Sequence, residues 1–253
     1  GEDCSQPNHR KICRPFGENI GMSLGESAQF VILMADELAI KLGVNIHGSA
    51  LASHINADGY KKSISGPGAG NYLTVGKCLN QIENYFGKEA LNKTFFHAHG
   101  TSTPQNRESE SHIISSLAKA FNINALPVTA IKSYLGHSLA AAGGDQIICT
   151  LGSWKNNWIP GITSTPALAE DMYSENLNFL LKNLEFNDAN FDFAILNAKG
   201  FGGNNGTALI ASPNKTMKML EVKHSTETIK KYYPKNEKIQ KKLEVEKINI
   251  LSG

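Results

Sequence analysis

The chain has 253 residues, 41% of them hydrophobic, enough to bury one large core or two smaller ones, so it reads as globular rather than disordered. With 25 basic and 23 acidic residues the net charge is only +2, which excludes the electrostatic footprint needed to wrap nucleic acid. No apolar run has the length of a bilayer span, and Cys4, Cys13, Cys78 and Cys149 lack CxxC spacing, so no membrane, zinc or disulfide framework is expected and a reducing cytoplasm fits. The acidic opening Gly1-Glu2-Asp3-Cys4 is unlike a secretion signal, so the glycosylation-like triplets at Asn92, Asn205 and Asn214 read as chance matches. Without an initiator methionine, position 1 is expected to lie inside a longer parent chain or to follow a processed start.

After Arg14-Pro15-Phe16 and a glycine-punctuated loop, the apolar run at 28–34 predicts a buried strand. Good helix formers follow over 35–42 and stop at Gly43, and 45–52 predicts a second strand, completing a strand, helix, strand unit. Gly, Ser and Pro accumulate around 61–68, which marks a loop and places a boundary near residue 55. A helix is predicted over 71–85 and a strand over 94–98, with a sharp turn at His99-Gly100. In the next helix, 108–121, Ile113, Ile114, Leu117, Ala118 and Phe121 share one face and should pack on a sheet. Another strand is predicted at 127–131, and the small residues Ala140 to Gly144 predict a central, buried helix. Apolar runs at 191–196 and 207–211 flank a glycine-rich turn and predict an antiparallel pair. Alternation of strands and helices places the chain in the α/β class, and the lysine-rich residues from 214 onward read as a solvated helical or loosely packed tail.

Three stretches carry chemistry. His99-Gly100-Thr101-Ser102-Thr103-Pro104 follows a strand, where loops present side chains into a cleft. In residues 132–143, from Lys132 to Gly143, His137 is expected at a helix start, whose partial positive charge would keep the ring neutral. The glycines of residues 197–205 permit unusual dihedrals and close backbone approach. Singly, each has a plain structural explanation. His97 and His99 have the spacing of a metal pair on a strand, but no third ligand follows and no metal is expected. Gly200-x-Gly202 superficially resembles a dinucleotide loop, yet no strand, helix, strand unit with a ribose-binding acid follows it.

Together and in this order the three stretches resemble the HGTxTP, KSxxGHxxxAAG and GFGGxN elements of the β-ketoacyl-acyl-carrier-protein synthases, and residues 14–26 resemble that family's RPF and GEGA segment. The resemblance spans about 13–213. It implies a thiolase-like layered αβαβα fold, incomplete here at the N-terminus, with 1–55 ending the N-terminal half, 56–213 forming the C-terminal half and 214–253 an extension. It further implies decarboxylative condensation of malonyl-acyl-carrier protein with an acyl thioester, in fatty-acid or polyketide synthesis. On the matching positions His99 and His137 would hold the malonyl carbonyl and stabilise the enolate, Lys132 would orient the site, and Glu110 would fix the polar network. Thr101 and Thr103 would bind the phosphopantetheine arm, which arrives on the carrier protein, so no resident cofactor is implied. The Phe201 amide would supply half an oxyanion hole and its ring a gate, Gly202 and Gly203 would let that loop move against substrate, and Asn205 would prop it.

Two departures stand out. None of the four cysteines lies in a TxCAxG turn, so the acyl-carrying nucleophile is expected upstream of Gly1 and this chain alone is expected to be inactive. Gln146 stands where close relatives carry a glutamate, with Asp145 beside it. The alternative reading is a chain-length-factor-like or split subunit without catalysis, and a thiolase is disfavoured because its late cysteine has no counterpart. Either way the expected partners are an acyl carrier protein, malonyl and acyl thioesters, and a second ketosynthase chain in a homo- or heterodimer. Alone, the chain should expose apolar surface and self-associate.

Overall fold

The computed structural model describes residues 12–18, 21–59, 68–187 and 190–252. In chain order the first elements are α1 (Asp36–Leu42), β1 (Ser49–Ala57), α2 (Ala69–Phe86), β2 (Thr94–His97), α3 (Pro104–Ala120) and β3 (Leu126–Thr129). Then come the single turn α4 (Lys132–Leu135), α5 (Ala142–Asn156) and the short strands β4 (Trp158–Ile159), β5 (Leu177–Phe179) and β6 (Leu184–Glu185). The hairpin β7 (Phe193–Gly200) and β8 (Asn204–Ala211) is followed by α6 (Pro213–Lys223) and α7 (Thr226–Ser252). Contacts divide the chain into two units: one holds the described residues up to Phe30 with Ala50–Ala211, the other Val31–Ser49 with the residues from Ser212 on. Residue 55 therefore lies inside β1, and most of the loop expected at 61–68 lies outside the described residues, as do Cys4 and the acidic opening.

The first unit is organised by a six-stranded sheet in the order β1-β8-β7-β2-β3-β5. β7, β2, β3 and β5 pair in parallel, and β8 runs antiparallel to β7 with Phe193 opposite Ala211 and Gly200 opposite Asn204. Central parallel strands are covered on both faces, so they read as unbroken apolar runs rather than alternating ones. Phe95 and Phe96 of β2 and Phe193 to Leu196 of β7 are all buried. Phe95 and Leu196 share a cluster with Trp154, Ile159, Leu180, Phe191 and Ile210, and the Trp154 indole N–H donates to the Phe191 carbonyl. The 108–121 helix starts earlier than its periodicity predicts because Pro104 preorganises the first turn; Ile113, Ile114 and Ala118 are buried, while Leu117 and Phe121 are half-buried.

In the second unit α1 ends at Gly43, whose φ of 73° lets its N–H reach back to the Ala39 and Ile40 carbonyls. Ser212 caps α6, its hydroxyl accepting the Lys215 N–H. Ile40, Leu220, Ile229 and Tyr232 form the buried cluster here, and the Tyr232 hydroxyl donates to the Val44 carbonyl. The lysine-rich segment is helical as expected, but its start is packed rather than solvated or loosely held, which corrects that part of the expectation. Further along α7 that expectation fits: Lys231–Glu227, Lys241–Glu237 and Lys242–Glu246 are exposed pairs four residues apart.

Three element predictions need correction. Residues 28–34 form no strand: Phe30, Ile32 and Leu33 are 94%, 85% and 80% exposed, because β propensity makes a strand only where a neighbour supplies ladder hydrogen bonds. The strand predicted at 45–52 runs over Ser49–Ala57, where alternation of half-buried and exposed residues continues through polar positions that an apolar-run criterion stops at. Ala140 to Gly144 are only partly inside the buried helix: Ala142 opens α5 and is buried, and Gly144 lies close against Gln29, but Ala140 precedes the helix and is exposed and the space around the Gly143 α-carbon is open.

Candidate active site

Because β2, β3 and β7 run parallel, the residues that follow them emerge at one edge of the sheet, the carboxyl ends where α/β folds bind ligands. His99 lies two residues past β2, Lys132 and His137 follow β3, and Asn197 to Gly200 end β7 with Phe201 directly after it. The His99 and His137 rings have centroids 5.4 Å apart and planes at 83°. His99 Nδ1 accepts the Lys199 backbone N–H at 3.2 Å, and His137 Nδ1 accepts the Leu139 backbone N–H at 3.1 Å. A neutral imidazole that accepts at Nδ1 carries its proton on Nε2, so both rings present an N–H donor.

Protonation follows from surroundings. Burial holds the His99 ring well below the usual range, and the neighbouring Lys132, His137 and Lys199 push the same way. Burial and then Lys132 lower His137 to about 4, with Asp145 opposing. The helix-start explanation for His137 is corrected: α5 begins only at Ala142, after a 3-10 turn at Leu139–Ala141, so burial and Lys132 keep this ring neutral.

Lys132, 3% exposed, donates from Nζ to the His99 carbonyl at 2.6 Å. Burial lowers its ammonium to about 8, while the charges of Glu110 and Asp145 act against that fall. Glu110 is fully buried on α3. Its Oε1 accepts the His99 N–H at 2.8 Å and Asn197 Nδ2 at 2.8 Å, and its Oε2 accepts the Gly100 N–H at 2.9 Å and Asn106 Nδ2 at 3.0 Å. Four donors fill the acceptor positions of an ionised carboxylate. Asn197 also exchanges hydrogen bonds with Asn71 and accepts from Thr207, joining the ends of α2, β7 and β8 to this network.

Gln146 points its Nε2 at the carbonyls of Ala98 (2.8 Å), Asn197 (3.0 Å) and His97 (3.3 Å), so it ties the ends of β2 and β7 with a donor that a carboxylate could not supply. Thr101 is buried, with its hydroxyl 3.2 Å from that of half-buried Thr103. The turn at 201–203 places Gly202 at φ 82° and Gly203 at φ 86°. The Gly203 carbonyl accepts the Asp58 N–H at 2.8 Å and Asn205 Nδ2 at 3.0 Å, which makes Asn205 a prop for that turn. Phe201 is 65% exposed and its ring pairs with no other ring among the described residues.

The structure thus brings His99, His137, Lys132, Glu110 and Gln146 together, and the β7 end that carries Phe201 is bonded to His99 through Lys199. Asn197 was legible in principle, since it opens the third motif. Asn71, Asn106 and the Lys199 and Leu139 amides carry no sequence signal, because their parts are played by geometry alone. Both ring nitrogens of His97 are engaged, Nε2 accepting the Ile131 N–H and Nδ1 3.3 Å from the Thr150 hydroxyl, and burial pushes the ring down to about 3. Asp36, Glu37 and His224 group their ligand atoms within 4.8 Å in the second unit, where Lys223 already pairs with both acids. Among the described residues no helix is long and apolar enough to cross a membrane.

Residues 47–165 match the family described as "Beta-ketoacyl synthase, C-terminal domain". This part of the chain is a β-ketoacyl synthase C-terminal domain. Over 229 residues the sequence is 45% identical to the beta-ketoacyl-[acyl-carrier-protein] synthase FabY of Pseudomonas aeruginosa, covering 90% of this chain and 36% of that protein. The crystal structure of the ketosynthase FabY from P. aeruginosa superposes with a TM-score of 0.87 at 44% identity, over 92% of this chain and 36% of that one. Barley chloroplastic 3-oxoacyl-[acyl-carrier-protein] synthase I is 28% identical over 82% of this chain and 43% of its own length. The chain spans less than half the length of these relatives, and its α/β architecture is part of their thiolase-like fold.

Proposed function

We propose that this chain supplies the malonyl side of a β-ketoacyl synthase active site, and the observation that carries the reading is the paired neutral imidazoles with Nε2–H donors. The two N–H groups hold the carbonyl oxygen of a malonyl thioester. As the bond to the carboxylate breaks, carbon dioxide leaves and its electron pair passes into the enolate, whose growing charge meets donors already in place. The enolate carbon then forms the new bond to the acyl thioester and expels a thiolate. Lys132, anchored on the His99 carbonyl, sets the positive field, and Glu110 fixes the His99-Gly100 backbone. Thr101 and Thr103 bind the phosphopantetheine arm, while Phe201, with Gly202 and Gly203 behind it, gates the acyl side.

The acyl-carrying thiolate comes from residues outside this sequence, so the chain alone does not complete condensation. In support, burial pushes the Cys78 and Cys149 thiols up to about 12, which leaves them un-ionised and inert. The partner is an acyl carrier protein, as FabY's name implies for FabY and as a type II polyketide ketosynthase of the same fold has in its complex with an acyl-carrier protein. A cytoplasmic site of action and pairing with a second ketosynthase chain belong to the same reading.

The test is decarboxylation of malonyl carrier protein by the intact polypeptide that bears these residues. His99→Ala and His137→Ala should each lower carbon dioxide release by roughly 100-fold or more, the scale for losing a fixed donor to developing charge. Release at the wild-type rate in both variants would overturn the assignment.

A further inference from the structure

We propose that Asp145 is a positioning residue for His137, holding the backbone at Ser138 and Leu139 so that the Leu139 N–H faces the His137 ring. The inference rests on the functional reading above and adds a residue to which neither the motifs nor the relatives assign a part. Asp145 lies in the first turn of α5 and is 6% exposed. Its carboxylate accepts hydrogen bonds from the Ser138 hydroxyl and the Gln29 side-chain amide. Ser138 is the residue directly after His137, and Gln29 lies four residues beyond Gly25 on the stretch whose Ser23 to Gly25 run along His137 itself. There the His137 N–H donates to the Ser23 carbonyl at 2.8 Å and the Gly25 N–H donates to the His137 carbonyl at 3.0 Å. The carboxylate therefore ties both sides of the histidine to one helix.

Leu139 supplies the second strand of the argument. Its φ is +56°, a conformation that residues with a side chain adopt only when their surroundings impose it. Packing does not impose it, because the Leu139 side chain is 57% exposed. The hydrogen bond from Ser138 to Asp145, one residue before, is what restrains the turn, and the unusual φ turns the Leu139 N–H back onto His137 Nδ1. Gly144 makes room for the second arm of the clamp, since a β-carbon there would sit 2.4 Å from the Gln29 side-chain oxygen. The charged and titratable groups facing His137 are Lys132 from α4, His99 from the β2 loop and Asp145 from α5, with Lys199 and Glu110 next to His99. Asp145 is the one whose charge favours a proton on this ring.

Ring-nitrogen chemical shifts of the histidine-labelled chain, measured near neutral pH by long-range proton–nitrogen correlation, read the tautomers directly. In the wild type both His99 and His137 should be in the Nε2–H form. Asp145→Ala should lower the Nε2–H to Nδ1–H ratio of His137 by about tenfold, the size expected for loss of one hydrogen bond, while His99 stays as it was because Lys199 holds it. Ser138→Ala removes only the hydroxyl of a half-buried residue and should reproduce the His137 change in a folded chain. An unchanged His137 tautomer in Ser138→Ala, or loss of the preference at both histidines together, would overturn the proposal. No substrate is involved, so a wild-type polypeptide without decarboxylase activity would refute the proposed function and leave this result standing.

Discussion

Replacing Glu110 by Gln is the sharpest probe of the polar network beneath the histidines. The two carboxylate oxygens each accept one main-chain and one side-chain N–H: His99 and Asn197 on Oε1, Gly100 and Asn106 on Oε2. A glutamine offers one acceptor oxygen and turns an NH2 toward the other pair of donors. The asparagines can rotate their amides to adapt, but the two main-chain donors point at different oxygens, so either orientation abandons the His99 or the Gly100 N–H. At about 1–3 kcal/mol for a buried donor left without a partner, the loss is roughly 1–3 kcal/mol, a substantial part of an ordinary domain's stability. With a urea m-value of about 2 kcal/mol per molar, the unfolding midpoint should drop by roughly 0.5–1.5 M at unchanged m. Tryptophan fluorescence reads the transition, since Trp154 belongs to the core beside β2. A midpoint within about 0.3 M of wild type would refute the reasoning, because it would mean that the four donors do not depend on a carboxylate. The substitution also removes the charge that most opposes the fall of Lys132, so the Lys132 midpoint should move below about 8.

Acid should destabilise the chain through His97: its folded midpoint of about 3 lies below the unfolded 6.5, so the unfolded chain takes the proton first. Stability is full above pH 6.5 and falls as pH drops toward 3, by roughly 5 kcal/mol at 1.36 kcal/mol per pH unit, and urea midpoints down a pH series should flatten in His97→Gln. Gly203→Ala puts a side chain at φ +86° with its β-carbon 3.1 Å from that of Asp58, so it should cost about 1–2 kcal/mol and lower Tm by several degrees in a thermal melt. The isolated chain should self-associate through its uncovered apolar run, and replacing Phe30, Ile32 and Leu33 by serine should shift sedimentation profiles toward monomer; a monodisperse wild-type monomer would count against this.

The elements that declare themselves locally were legible without coordinates. β2, α2 and the β7–β8 hairpin follow from apolar runs, helical spacing and a glycine turn, and the α/β class follows from their alternation. So were His99, His137 and Lys132, because three motifs in fixed order name them, and Glu110 through the family resemblance those motifs carry. Residues 28–34 show the limit of that logic: their composition is that of a buried strand, yet strandness is a property of a pair, and no local pattern says whether a partner is present. The packed start of the lysine-rich segment shows the converse. Leu220, Ile229 and Tyr232 are too sparse among lysines to signal a core until α1 meets them.

By itself the sequence determined which residues are candidates for the chemistry and the order in which they arrive, since side-chain identity and glycine placement are local facts. Tertiary structure decided the rest: that three parallel strands end at one edge, that main-chain amides from Lys199 and Leu139 choose the histidine tautomers, and that burial and Lys132 rather than a helix end keep His137 neutral. Those are long-range matters of distance and solvent exclusion, and a backbone N–H has no letter of its own to be read.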